Sequence, residues 1–277
     1  VALPARAWSL LGDLCVWSGL YGAACVVSAF LITDTPIWWE GTLGAGLATS
    51  GVYLVDRIKL RDRDWDPADL AANKRRHTRL RSRKHAARLL ALACLTSASV
   101  LLWERGRVTG LLPWGGCLGV MLYAPGRSPG ARPKDVPVLK NALVATGMTL
   151  LAGVVLRVRT EGPTPGIAFA LSWLWVTVLA DALLSDLDDR ETDQVHGTRT
   201  VPTHGVRLAW GLGAGLALLG ALGLVLVGHD PAARRLGVWC LLTTLVLWGL
   251  RPGRVRDLID WRLPLIVGAE LLIDAGA

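Results

Sequence analysis

The sequence predicts an all-α, polytopic membrane protein, with about nine transmembrane helices around a central cavity and one domain over residues 1–277. Three observations predict it. Apolar residues make up 52% of the 277-residue chain and charged residues 19%, against roughly 45–50% and roughly 25% in a soluble domain; mean hydropathy is +0.41. The apolar residues gather into runs of roughly 17–25, the length that crosses a ~30 Å hydrocarbon core. Tryptophan is common (13) while Phe (2) and Tyr (3) are scarce, and several Trp close the runs, where an interfacial belt places them.

The runs fall at about 8–32, 37–58, 85–103, 107–123, 138–157, 165–185, 207–228, 233–250 and 259–276. Turn-forming residues punctuate them: Asp34-Thr-Pro36, Gly162-Pro-Thr-Pro165, His229-Asp-Pro231 and Arg251-Pro-Gly253. The first run starts near Trp8 without a strongly charged leader or an A-x-A cleavage site, so it reads as a membrane helix rather than a removable signal peptide.

Connections after the second, fourth and sixth runs are long and charged. With the N-terminus in the cytosol, the inside segments hold about 24 of the 30 Lys and Arg residues. The positive-inside rule therefore predicts N-terminus in and C-terminus out. About 12 of those residues lie between Arg57 and Arg88, a density that also attracts anionic membrane lipid. The net charge of +8 thus reads as topology, and no nucleic-acid partner is expected. Cys15, Cys25, Cys94, Cys117 and Cys240 sit in apolar runs without CxxC or Cys/His spacing, as small packing residues do.

Two acidic clusters close helices on the cytosolic side. In the first, Asp56, Leu60 and Asp64 stand at i, i+4 and i+8 if the second helix continues, with Asp62 and Asp66 between and beyond. In the second, Asp186, Asp189 and Asp193 stand at i, i+3 and i+7 beyond the sixth run, within roughly a 60° sector of a continuous helix. Stacked carboxylates repel, and a helix C-terminus disfavours anions. A divalent cation offsets both, and Mg²⁺ prefers hard oxygen donors and bridges one or two carboxylates to substrate phosphates. An amphiphile with a diphosphate head suits such a place. Asp13, Asp181, Glu270 and Asp274 are acids inside apolar runs, functional candidates by default.

At these residues the sequence resembles the UbiA superfamily of intramembrane prenyltransferases. Asp186-x-x-Asp189-x-x-x-Asp193-x-x-x-Gly197-x-Arg199-Thr200-x-Pro202 is similar to that family's second Asp-rich motif; Tyr123-Ala-Pro and the run from Lys134 to Lys140-Asn141 are similar to its segments between the fourth and fifth helices. The first motif departs from the family's N-x-x-x-D-x-x-x-D: Val52 and Leu60 replace its outer residues, so only Asp56 is kept and Asp62 or Asp64 completes the site. Ser185 and Val195 replace the usual Asn and Lys of the second motif.

The resemblance implies a Mg²⁺-dependent enzyme that ionises an allylic isoprenoid diphosphate and transfers the prenyl group to a small-molecule acceptor. It implies metal-holding roles for Asp56, Asp62, Asp64, Asp186, Asp189 and Asp193, with Asp56, Asp64, Asp189 and Asp193 essential to catalysis. Lys134 or Lys140, Arg199 and one or more of Arg57, Arg75 and Arg76 are the implied diphosphate-binding residues. An alternative on the same fold is a terpene cyclase, in which the substrate's own double bonds capture the cation. A third reading is a transporter or lipid-binding protein; its charged sites would lie near the bilayer midplane, not at helix ends.

Overall fold

The computed structural model describes residues 10–58, 78, 80–103, 107–123, 136, 138–160, 162, 164–195, 200–249 and 255–276. Regular structure among them is helical throughout. The long helices are α1 (Val16–Ile32), α2 (Trp39–Ile58), α3 (Lys84–Trp103), α4 (Arg107–Tyr123), α5 (Leu139–Arg157) and α6 (Pro165–Ser185). After the short α7 (Arg190–Val195) and α8 (Val201–His204) come α9 (Val206–Val227), α10 (Pro231–Gly249) and α11 (Val255–Gly276). Each of the nine expected spans thus has its helix.

Packing closes a circuit from α1 through α2, α4, α5, α6, α9, α10 and α11 back to α1, with α3 against α2 and α4. Helix α1 also touches α5 and α6. Helices α3, α5, α6 and α9 are long and apolar enough to cross a membrane by themselves. Burial separates them: 61% of the α6 window is inside the protein, against 28–33% for the other three. In a bilayer those three turn most of their apolar surface to lipid, while α6 is an inner helix. The chain is an integral membrane protein.

Small residues set the closest approach. A Cβ on Gly19 of α1 would lie 2.9 Å from the Gly46 carbonyl oxygen and 2.1 Å from Ser50 Oγ, and one on Gly22 would lie 2.3 Å from Thr49 Oγ1. Only glycine admits α2 at this distance, as expected where helices pack by backbone proximity in lipid. Helix α6 begins with Pro165 behind Thr164, whose Oγ1 accepts the Ile167 N–H at 3.2 Å, a favoured N-terminal arrangement.

Two local expectations differ from the structure. The first span is not one helix over 8–32: a turn ends at Cys15, which has φ 59°, and α1 starts after it. Arg57 Nη1 donates to the carbonyls of Gly12 and Asp13, and Ser50 Oγ to that of Cys15 at 3.1 Å. Helix α2 thereby supplies donors to the carbonyls that the break leaves open. Likewise α6 does not run on through Asp193. It ends at Ser185, residues 186–189 form turns, and α7 begins at Arg190. Continuation of α2 beyond Ile58 lies outside the described residues.

The acids inside the spans are partnered. Asp181, 3% exposed, lies 2.6 Å from Arg262 Nη2 and accepts the Tyr21 hydroxyl at 2.7 Å, joining α6, α11 and α1. Glu270, fully buried, is 2.6 Å from Arg235 Nη2, and Arg235 also approaches Asp274 at 3.9 Å. All five cysteines are unbridged.

Candidate active site

The second acidic cluster is built by a turn. Asp186 caps α6 with its N–H on the Ala182 carbonyl, Leu187 N–H returns to Leu184, and Asp193 N–H to Asp189 at 2.9 Å. Asp186 is 3% exposed and both its oxygens are engaged: Oδ1 with Lys140 Nζ at 2.9 Å, Oδ2 with Asn141 Nδ2 at 3.0 Å. Lys140 and Asn141 open α5, so this carboxylate fastens the end of α6 to the start of α5. Buried on its own, it would be strongly disfavoured; with a cation and an amide donor it is satisfied.

Asp193 is held differently. Thr200 donates its hydroxyl to Asp193 Oδ2 at 3.1 Å. Thr200 is itself the N-cap of α8, in a reciprocal box with Thr203, and Pro202 occupies the first turn where no N–H is missed. The Thr200-x-Pro202 pair thus converts a local cap into a fixed anchor for an acid seven residues earlier. Burial pushes the Asp193 carboxyl up to about 6; Lys140 pulls it down, while Asp186 and Asp189 push it further up.

Electrostatics join this cluster to the end of α2. Lys140 acts on Asp193 and also on Tyr53, which in addition lies within reach of Asp56, Arg57 and Asp260. Asp56 and Asp189 are partly exposed. The ends of α2 and α6 therefore open at the same side of the bundle, with Lys140 between them. Arg190, beside Asp189, keeps its Nε buried and without a hydrogen-bond partner among the described residues.

Of the expected site residues, Asp56, Lys140, Asp186, Asp189 and Asp193 gather at this end. Arg57 is beside them, but its Nη1 is turned to the carbonyls of Gly12 and Asp13. Asp62, Asp64, Arg75, Arg76, Lys134 and Arg199 lie outside the described residues. Sequence reading gave Asn141 and Thr200 no role of their own. Their signal was adjacency: Asn141 follows Lys140, and Thr200 stands two before Pro202.

The donor set fits Mg²⁺. Its oxygens are hard carboxylate donors, and Asp186 and Asp189 are both close enough to act on Asp193. Among the described residues no three His, Cys, Asp or Glu side chains form a ready-made cage. Mg²⁺ does not need one, since it binds through one or two carboxylates, waters and substrate phosphates.

A pH dependence follows. With the Asp193 carboxyl at about 6 rather than near 3.8, the group is charged at pH 7.5 and protonated below about 6. Under the metal-holding role proposed below for Asp193, Mg²⁺ affinity is expected to fall as pH drops from 7.5 to 5.5, and Asp193→Asn to flatten that step. Mg²⁺ titrations at the two pH values check it. In stability the sign is opposite. The raised carboxyl favours the folded state most fully below its usual value, and that contribution is lost as pH rises through about 6.

The order and packing of the helices define an integral membrane protein with the fold of UbiA homologues. The structure is similar to the apo structure of a UbiA homolog from Aeropyrum pernix K1, with a TM-score of 0.63 at 14% identity over 93% of this chain and 98% of that one. A UbiA homolog from Archaeoglobus fulgidus bound to DMAPP and Mg²⁺ matches with a TM-score of 0.63 at 14% identity, over 95% and 97% of the two chains. A digeranylgeranylglyceryl phosphate synthase matches with a TM-score of 0.53 at 12% identity, over 97% of both. At these identities the likeness establishes the fold. No protein-family model and no curated protein matches the sequence.

Proposed function

We propose that this chain is a Mg²⁺-dependent intramembrane prenyltransferase. It would ionise an allylic isoprenoid diphosphate and pass the prenyl group to a small-molecule acceptor. The observation that carries the reading is Lys140: it is fixed on Asp186 and acts electrostatically on both Asp193 and the end of α2. One ammonium thus serves two acidic helix ends at the mouth of an apolar bundle. The fold supports it, since a protein of the same fold is described as bound to DMAPP and Mg²⁺.

In this reading Asp189 and Asp193, with Asp56 from α2, would hold Mg²⁺; the sequence adds Asp62 or Asp64. Bound there, the metal would neutralise diphosphate charge and so stabilise the leaving group. Asp186 orients Lys140 toward the diphosphate oxygens rather than serving chiefly as a ligand. Lys134, Arg199, Arg75 and Arg76 add positive charge. As the allylic C–O bond breaks, these fixed charges stabilise the departing diphosphate. The acidic mouth faces the cytosol, with the N-terminus on that side and the prenyl chain in the bilayer.

Cyclisation without an acceptor is the second reading, favoured by Trp17 and Trp261, whose rings meet at 4.4 Å and 57° and whose π faces suit a carbocation. Incubating purified protein in lipid nanodiscs with Mg²⁺ and geranyl, farnesyl or geranylgeranyl diphosphate separates the two. A transferase is expected to give prenylated product only when membrane extract supplies an acceptor. Cyclic hydrocarbon or alcohol without extract establishes the cyclase, and no diphosphate release under either condition overturns both.

A further inference from the structure

The end of the bundle away from Asp56 holds a cavity of about 710 Å³, within the ~300–1,000 Å³ range of ligand pockets. The end of α1, the start of α2, the start of α10 and the end of α11 enclose it. Trp39, in its wall, and Asp56 stand at opposite ends of α2, so roughly 25 Å of helix separates the two places. That is close to the ~30 Å thickness of a hydrocarbon core. Trp39 is also 56% exposed, as an interfacial tryptophan is. The cavity therefore lies at the level of lipid headgroups on the far membrane face.

Its wall has two parts. Phe30, Ile37, Trp39 and Leu271 are apolar, while Asp34, Asp230, Asp274 and Arg235 carry charge. Helix α11 fixes Arg235: Nε and Nη2 both reach Glu270 Oε1 at 2.6 Å, and Nη2 lies 3.9 Å from Asp274. Nη1 makes no hydrogen bond among the described residues. Glu270 stands one turn before Asp274 on the same face of α11. It is fully buried, and its Oε2 has no hydrogen-bond partner among the described residues. Asp230 caps α10, accepting the Ala232 N–H at 2.7 Å, whereas the Asp34 side chain is exposed.

One wall thus offers an open guanidinium donor beside an excess of carboxylate acceptors. An anionic head group satisfies Arg235 and is repelled by the acids; a bare cation does the reverse. A head group that carries both charges satisfies both. A primary ammonium brings three N–H donors to carboxylates, and a trimethylammonium brings none.

We propose that this cavity binds a zwitterionic phospholipid whose head pairs a phosphate with a primary ammonium. Arg235 takes the phosphate through Nη1, Asp34 and Asp274 take the ammonium, and the apolar wall takes the first methylenes of the acyl chains. The site is separate from the proposed chemistry and does not depend on it.

The test is native mass spectrometry of the full chain in detergent, titrated separately with dioleoyl phosphatidylethanolamine, phosphatidylcholine and phosphatidylglycerol. Phosphatidylethanolamine is expected to bind at about 10-fold lower concentration than the other two, the effect of one charge-assisted contact. Asp34→Asn with Asp274→Asn should remove that preference and leave thermal melting unchanged, because both side chains are exposed. Glu40→Gln, an exposed acid of α2 outside the cavity wall, should keep the preference. Equal binding of the three lipids overturns the proposal, as does a preference that survives in the double variant. Tighter binding of phosphatidylglycerol overturns it too, since Arg235 would then act as an anion site without the acids.

Discussion

Replacing Asp186 by alanine is expected to lower turnover of an allylic diphosphate by at least about 100-fold, the usual effect of losing one fixed electrostatic partner of a leaving group. Asp186 holds Lys140 Nζ at 2.9 Å and Asn141 Nδ2 at 3.0 Å. Without it, the ammonium loses its fixed direction and returns to water. Folding should suffer less than catalysis. Breaking a fully buried pair costs ~3–5 kcal/mol, but Lys140 retains 33% side-chain exposure and can be solvated, so roughly 1–2 kcal/mol is expected. Asp186→Asn, which keeps an oxygen for Asn141 and loses the charge, should fall between. Steady-state kinetics alongside melting in detergent checks both parts; unaltered turnover in Asp186→Ala would remove Lys140 from the mechanism.

The second large effect concerns stability. Arg262→Met leaves Asp181 in the bundle interior with only the Tyr21 hydroxyl, and an uncompensated buried charge costs ~3–5 kcal/mol. Exchanging both partners for apolar residues should cost much less: the double variant Arg262→Met with Asp181→Leu is expected to recover most of the loss. The asymmetry arises because desolvation, not the absence of attraction, dominates when one charge is left behind. Chemical unfolding of the two single variants and the double variant measures it. Additive losses would show that the pair is not coupled as the 2.6 Å contact requires.

Hydrophobic run length made the spans legible, because lipid imposes one solution on each: a helix of fixed length with its backbone bonds satisfied internally. Boundaries such as 37–58 and 165–185 therefore fall close to α2 (Trp39–Ile58) and α6 (Pro165–Ser185). What escaped was decided by tertiary contacts. The break at Cys15 carries no composition signal; it exists because Arg57 and Ser50 of α2 supply donors to the carbonyls it exposes. The turn at 186–189 replaces a continuous helix while Lys140 and Asn141 bind Asp186 from α5. The carboxylates still gather, but by a route that 3.6-residue spacing does not describe.

Site residues divide in the same way. Asp186, Asp189 and Asp193 were readable because stacked like charges need an explanation, and Lys140 because it opens a span beside a charged loop. Asp181 stood out as an acid in an apolar run, yet its partner Arg262 lies 81 positions away, and nothing local links the two.

The central claim is that carboxylates from the end of α2 and from the turn and short α7 that follow α6 share a divalent cation with a diphosphate. Calorimetry of geranyl thiolodiphosphate with the unaltered chain, with Mg²⁺ and then with excess EDTA, tests it most directly. The account predicts saturable binding with Mg²⁺ that EDTA abolishes and that Asp189→Ala with Asp193→Ala removes. Binding of equal strength in EDTA, or retained in the doubly substituted chain, would contradict it.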